Sequence, residues 1–417
     1  MLEGDSAGSP PIQPTAFRWQ ASEPGAPPVL WVMSCSEGPV PQVSLAALVD
    51  FLDVEARPWT LDWEEQFVGL PQRVRHHGAR VLGVRAEDLS LVSTTTAGLV
   101  TVAQGMRWMA GEEIVTPLGE FPTNAWPWRV LAARGVRVRE VPLWPGHQAG
   151  AECWESAPPP PDADPEGRLL AALTPATRVL AVSWVRFQDG LRLDLLRLAL
   201  ACSERGVLLV VDGIQGAGTA LPPLAGVAAF AVGGHKHLLA PQGLGLLWTH
   251  PRLRHQLLPP GGWLSVEEAT NFARPSTDFH RPFLKSGEGL EEGVPNLVLA
   301  AALGRSLELL AEASVARIEE HIDHLAARFL AALAEVPAWG REARRLEGLR
   351  QRGRLGPIVA LHHRGEGAEA LDARLQAGFD AGIYASIREG YLRVAFHGWH
   401  RPSDIDRLVQ WLRHEPV

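Results

Sequence analysis

The chain has 417 residues, 46% of them hydrophobic and 21% charged, with a formal net charge of -8. That length supports one large core plus a smaller unit, and an acidic balance without a basic stripe excludes nucleic acid as the main partner. Two lysines, Lys236 and Lys285, stand against 37 arginines (39 Lys+Arg minus two), and three cysteines with no CxxC spacing make neither a disulfide framework nor a zinc site.

The amino terminus, MLEGDSAGSPPIQPTAF, lacks the basic start and apolar run of a secretory signal. No apolar stretch reaches the ~18 residues of a membrane helix, so no membrane partner is expected and the location reads as cytoplasmic. Residues 1–28, rich in Pro, Gly and Ser, are expected to be irregular, with order beginning at PVLWVM (28–33). Helix-spaced apolar residues run from Ser44 to Leu52 and from Trp63 to Leu82. DLSLVS (88–93) reads as a buried strand leading into a helix at TTTAGLVTVAQGMRWM (94–109).

The pattern then repeats. EIVTPL (113–118) precedes helical material through Leu131; VRVREVPL (136–143) is a strand; Pro165 to Leu173 is helical; RVLAVSW (178–184) is a strand; Leu191 to Cys202 is helical; GVLLVVD (206–212) is a strand. Two apolar runs, VAAFAV (227–232) and GLGLLW (243–248), follow. This alternation implies an α/β fold with a mainly parallel sheet covered on both faces. CWESAPPPPDADPEG (153–167) interrupts it as a surface loop. Beyond residue 296 come a long amphipathic helical region (297–337), a strand at PIVALHH (357–363), a helix near 367–377, strands at GIYASI (382–387) and YLRVAF (391–396), and a helix from Ser403 to Leu412. The expected division is an amino-terminal segment over 1–50, a large α/β domain over 51–296 and a small α+β domain over 297–417.

In VVDGIQGAGTA (210–220) an aliphatic strand delivers Asp212 at its carboxyl end, where open parallel sheets bind ligands, with Gln215 three residues on. Lys236 follows after one more apolar run, which returns it to the same edge. A desolvated lysine forms a Schiff base, which a guanidinium cannot, and a lysine beside a carboxylate suits pyridoxal phosphate. Taken singly, a strand-end aspartate also caps turns, and STTTAGL (93–99) is an ordinary N-cap as well as an anion-binding helix start.

Taken together, TTT (94–96), EFPTN (120–124), SWVRF (183–187), DGIQ (212–215), GHKH (234–237) and YLRVAFHGW (391–399) resemble the class V aminotransferase family of pyridoxal phosphate enzymes, over about residues 30–412. EFPTN and FQDGLRLDL (187–195) are most similar to its isopenicillin N epimerase-like branch. The resemblance implies the PLP-dependent transferase fold type I, with a mainly parallel seven-stranded sheet in the large domain and a smaller α+β carboxyl-terminal domain. It implies that Lys236 carries the cofactor as a Schiff base, Asp212 pairs with the pyridinium nitrogen and Gln215 reaches the phenolic oxygen. Thr95 and Thr96 would hold the phosphate, His235 would line its side, and Phe121 would stack on the ring. Arg393 would bind the α-carboxylate of a small amino-acid substrate, with Arg388 a second candidate for that pocket. A homodimer with active sites near the interface is implied as well.

Three departures qualify the likeness. Gly293-Val294-Pro295-Asn296 lacks a threonine that members contribute to the neighbouring subunit's phosphate site, and Phe187 stands where many carry a polar residue. No cysteine follows Cys202, so the mobile-loop nucleophile of a cysteine desulfurase is missing, and the three cysteines are expected to be apolar fillers. SCSEGPVP (34–41) aligns with the family's substrate loop but departs from its pattern, and carries no assigned role. The expected chemistry acts at an amino acid's α-carbon, with transamination or C–X lyase reactions ahead of epimerisation, which needs a second acid that nothing near Phe121 announces. The alternative of another class is a catalytically silent binding module on the same fold. GIQGAG has GxxGxG spacing and no following helix start, which excludes a dinucleotide fingerprint, and the histidine pairs lack ligand-spaced carboxylates, so no metal is expected.

Overall fold

The computed structural model describes residues 9–19, 25–363, 365 and 367–413. Strands Leu89–Val92 (β1), Glu113–Pro117 (β2), Arg137–Val141 (β3), Thr177–Ser183 (β4), Leu208–Asp212 (β5), Ala229–Gly233 (β6) and Gly245–Thr249 (β7) form one sheet in the order β1-β7-β6-β5-β4-β2-β3. The run from β6 to β3 is parallel throughout, whereas β7 is antiparallel to both β6 and β1. Strands β1, β2, β6 and β7 are buried at every position, the pattern of a sheet covered on both faces rather than one alternating between core and water. This is the mainly parallel α/β sheet that the alternation implies, with the seven strands that the family resemblance implies.

The helix Thr95–Gly105 leaves β1 with Thr94 as its cap, whose side chain accepts from the Ala97 N–H at 3.0 Å. It lies close on the sheet because Gly98 has no side chain: a Cβ there would sit 3.0 Å from Ala231 Cβ. A second, antiparallel sheet holds Ile358–His362 (β8), Ser386–Arg388 (β9) and Tyr391–Ala395 (β10) in the order β9-β10-β8, with Ser386 opposite Arg393. Leu30–Trp31 pairs in parallel with Ile383–Tyr384, and Ala395 N donates to Val32 O at 2.8 Å, so the chain leading into SCSEGPVP is stitched to the second sheet.

Several local expectations are corrected. The long helical region breaks at Ser314 (φ +64°) into Leu297–Ala313 and Val315–Ala334, and a helix Gly340–Gln351 follows where no element was expected. Residues 191–194 stay outside the next helix, which starts at Leu195 because the Asp194 carboxylate accepts from Arg197 N at 3.0 Å. Within 1–28, residues 1–8 and 20–24 lie outside the described residues. Order nevertheless begins before PVLWVM: Ile12 and Phe17 are buried, with Ile12 N bonded to Gly398 O at 2.9 Å and the Phe17 ring 4.8 Å from Trp399. The proline loop is pinned too, through Trp144 Nε1 to Ala157 O at 2.7 Å and Arg345 Nη1 to Pro159 O at 2.8 Å. No helix among the described residues is long and apolar enough to cross a membrane.

Candidate active site

Asp212 closes β5 beside Ser183 at the end of β4, and its side chain is 2% exposed. Oδ1 accepts from Ile214 N at 2.9 Å. Burial pushes this carboxyl up to about 7, with the Glu120 carboxyl adding to the rise and the Ile214 N–H and Lys236 ammonium opposing it. Lys236 lies three residues beyond β6, on the neighbouring strand end, and is 8% exposed. Burial pulls its ammonium below the usual lysine range; Asp212 resists that shift and the Arg393 charge reinforces it. The Phe121 ring centroid is 5.4 Å from Lys236 Nζ, and the Phe187 ring meets Phe121 edge-on at 5.0 Å.

The start of the Thr95–Gly105 helix abuts the same strand ends. Thr95 Oγ1 accepts from Gly233 N at 2.8 Å, which ties the end of β6 to the helix amino terminus, and Thr96 Oγ1 is 3.0 Å from Thr123 Oγ1. His235 is half-buried, and burial lowers its pKa. Gln215 donates from Nε2 to Cys35 O at 2.9 Å, while its buried Oε1 has no partner among the described residues.

Arg393 is 2% exposed on β10. Its Nη1 donates to Phe187 O at 2.7 Å, Nε and Nη2 donate to Ser386 Oγ at 3.2 and 2.9 Å, and Nη2 donates to Ser36 Oγ at 3.1 Å. Among the described residues every partner of this buried guanidinium is neutral. Arg388 is exposed at the end of β9 and donates to Ile387 O at 3.0 Å, so it stands outside that buried cluster.

The segment 34–38, left without a role by the sequence, is part of this site. Cys35 gives its carbonyl to Gln215, Ser36 its hydroxyl to Arg393, and Gly38 N donates to His235 O at 2.7 Å. Gly38 packs so closely that a Cβ would lie 1.9 Å from Lys236 O. The contact is made by the Cys35 backbone, while its side chain is buried in the core. Glu120 also belongs here, with no local sign in the sequence: it accepts from Ser183 N at 2.9 Å and from Ser183 Oγ, and burial raises its pKa. Behind it, Arg186 pairs with Asp189 at 2.9 Å and reaches Leu118 O at 3.4 Å, and Gln188 Nε2 donates to Gly119 O, so the turn that carries Phe121 is held from below.

A profile of the class V aminotransferases matches residues 39–408. The chain belongs to the class V aminotransferase family. This class V aminotransferase is 29% identical over 364 residues to isopenicillin N epimerase of Amycolatopsis lactamdurans, spanning 81% of this chain and 83% of that one. It is 28% identical to the cysteine desulfurase CsdA of Escherichia coli over 78% of this chain and 77% of that one. In fold it is similar to the cystine C-S lyase C-DES, solved with its product cysteine persulfide: TM-score 0.77, 19% identity, 93% of this chain and 98% of that one.

Class V aminotransferases are fold type I enzymes that use pyridoxal phosphate, and that is the cofactor of this one. The residues present fit it. A poorly solvated amine, a carboxyl on the adjacent strand end, an unpartnered buried Gln215 Oε1 and a hydroxyl-rich helix start share one sheet edge.

Proposed function

We propose that this class V aminotransferase acts on a small amino acid at its α-carbon, with Lys236 holding the cofactor through its amine and then moving the Cα proton. The observation that carries the reading is Arg393, a buried guanidinium whose hydrogen-bond partners among the described residues are all neutral and which bonds Ser36, in the segment that packs on Lys236. An α-carboxylate supplies the anion that such a group lacks, through paired charge-assisted hydrogen bonds. When bound, pyridoxal phosphate supplies a cationic ring that takes up the electrons released at Cα. Asp212 would keep the proton on the ring nitrogen, and Phe121 would stack on the ring. Thr95, Thr96 and the helix amino terminus hold the phosphate, with His235 alongside and Gln215 at the phenolic oxygen. Lys236 would be the general base at Cα, and burial, which lowers its pKa, favours the neutral amine this needs.

Transamination and C–X lyase chemistry both follow from that one proton transfer, and the likeness to isopenicillin N epimerase keeps epimerisation as the alternative. The loaded enzyme, offered a panel of amino acids, separates them: the amino form of the cofactor accumulates in transamination, an oxo acid with a released leaving group marks a lyase, and the D-enantiomer marks an epimerase. A homodimer goes with the exposed Trp59, Trp126, Phe272 and Phe279, apolar surface that a second copy would cover. A cytoplasmic location goes with three cysteines that form no disulfide.

A further inference from the structure

The donors around Arg393 are not all spent. A guanidinium has five N–H groups. Ser386 Oγ takes Nε–H and one Nη2–H, Ser36 Oγ takes the other Nη2–H, and Phe187 O takes one Nη1–H, which leaves one Nη1–H. The two serines differ in what remains to them. Ser386 Oγ receives two N–H groups and lies 3.7 Å from Cys35 Sγ, so its own hydrogen has a neighbour. Ser36 Oγ receives one N–H at 3.1 Å, and its O–H hydrogen meets no acceptor among the described residues. The Phe187 side chain, a ring turned on Phe121, carries no donor.

We propose that Ser36 is a substrate-binding residue: its hydroxyl and the remaining Arg393 Nη1–H together hold the substrate's α-carboxylate. This rests on the reading of Arg393 as the carboxylate site. Ser36 is held in place from both sides. Cys35 before it accepts from Gln215 Nε2, and Gly38 after it donates to His235 O, so the residues around the cofactor set the position of the carboxylate donor.

The test uses the cofactor-loaded enzyme and reads the change in cofactor absorbance, not turnover. The proteinogenic L-amino acids are titrated, and the tightest is compared with the primary amine that lacks its carboxylate. In Ser36→Ala the amino acid binds about tenfold more weakly, the scale of one hydrogen bond to a charged group, while the amine binds as before. Ser36→Thr, which keeps the hydroxyl, restores the affinity. Equal weakening of acid and amine, or none for the acid, overturns the proposal. The underlying reading fails separately, if Arg393→Ala leaves the amino acid's affinity unchanged or if no amino acid alters the wild-type spectrum, and the proposal falls with it.

Discussion

Lys236 Nζ lies 5.4 Å from the centroid of the Phe121 ring, although 115 positions separate the two in the chain (236 minus 121). Phe121 is itself open to solvent, at 36% exposed, and its ring meets Phe187 edge-on. A ring that lies over the amine and is not buried in the core is available to stack on a planar cofactor. Phe121→Ala is expected to weaken pyridoxal phosphate binding by about tenfold, the worth of one aromatic stacking contact, with Phe121→Trp retaining most of it. A spectroscopic titration of the cofactor-free protein measures this directly, and equal affinities in all three proteins would show that the ring serves only the core.

Asp212 ties function to a stability cost in the cofactor-free protein. Its carboxyl titrates near 7 when folded against 3.8 as a free side chain. Between those values the folded chain holds a proton that the unfolded chain has lost. The stabilisation is therefore complete below pH 3.8 and is lost as pH rises through 7. Asp212→Asn has no charge to bury, so its advantage over wild type opens with pH and reaches about 4 kcal/mol above neutrality. Urea midpoints at pH 5 and 8 report it; a gap that shrinks as pH rises would contradict the burial argument.

His237, next to Lys236, is fully buried, and neither ring nitrogen has a partner among the described residues. Burial holds its pKa well below the usual histidine value, so the ring is neutral at pH 7. Its face lies against the His397 ring, with centroids 5.8 Å apart. Removing two unsatisfied nitrogens relieves a desolvation penalty, so His237→Leu should gain about 1–2 kcal/mol in urea unfolding of the cofactor-free protein. A loss of that size would mean that the imidazole is satisfied in solution.

Gly38 has no room for a side chain against the Lys236 carbonyl. Gly38→Ala must push either the 34–38 segment or the lysine loop aside, at about 1–3 kcal/mol for an overpacked site. Reduced cofactor absorbance per mole of folded protein, together with a lower melting temperature, is the expected result. An unchanged spectrum would place the slack elsewhere.

The parts of this site that sequence reveals are those carried by side chains at strand ends. Asp212 closes one aliphatic run and Lys236 follows three residues after another strand, so their meeting at one sheet edge follows from the alternation of strands and helices. Arg393 has no such local sign and was legible only through the likeness of YLRVAFHGW to its family. Cys35, Ser36 and Gly38 were not legible, since two of the three act through backbone groups and the bond from Gln215 to Cys35 spans 180 residues. Glu120 stands in the EFPTN motif, yet its hydrogen-bond partner Ser183 is 63 residues away. Ile12 and Phe17 dock singly and leave no periodicity, and Ser314 breaks a helix without a glycine or proline to announce it.

The central claim is that Lys236 carries the cofactor, and a chain with only two lysines makes the test unambiguous. The purified protein is loaded with pyridoxal phosphate, reduced with borohydride, digested and weighed peptide by peptide. A pyridoxyl adduct on the Lys236 peptide, none on that of the exposed Lys285, and no visible absorbance in Lys236→Ala is the predicted result. An adduct confined to Lys285, or a protein that gains no visible absorbance at all, would contradict it.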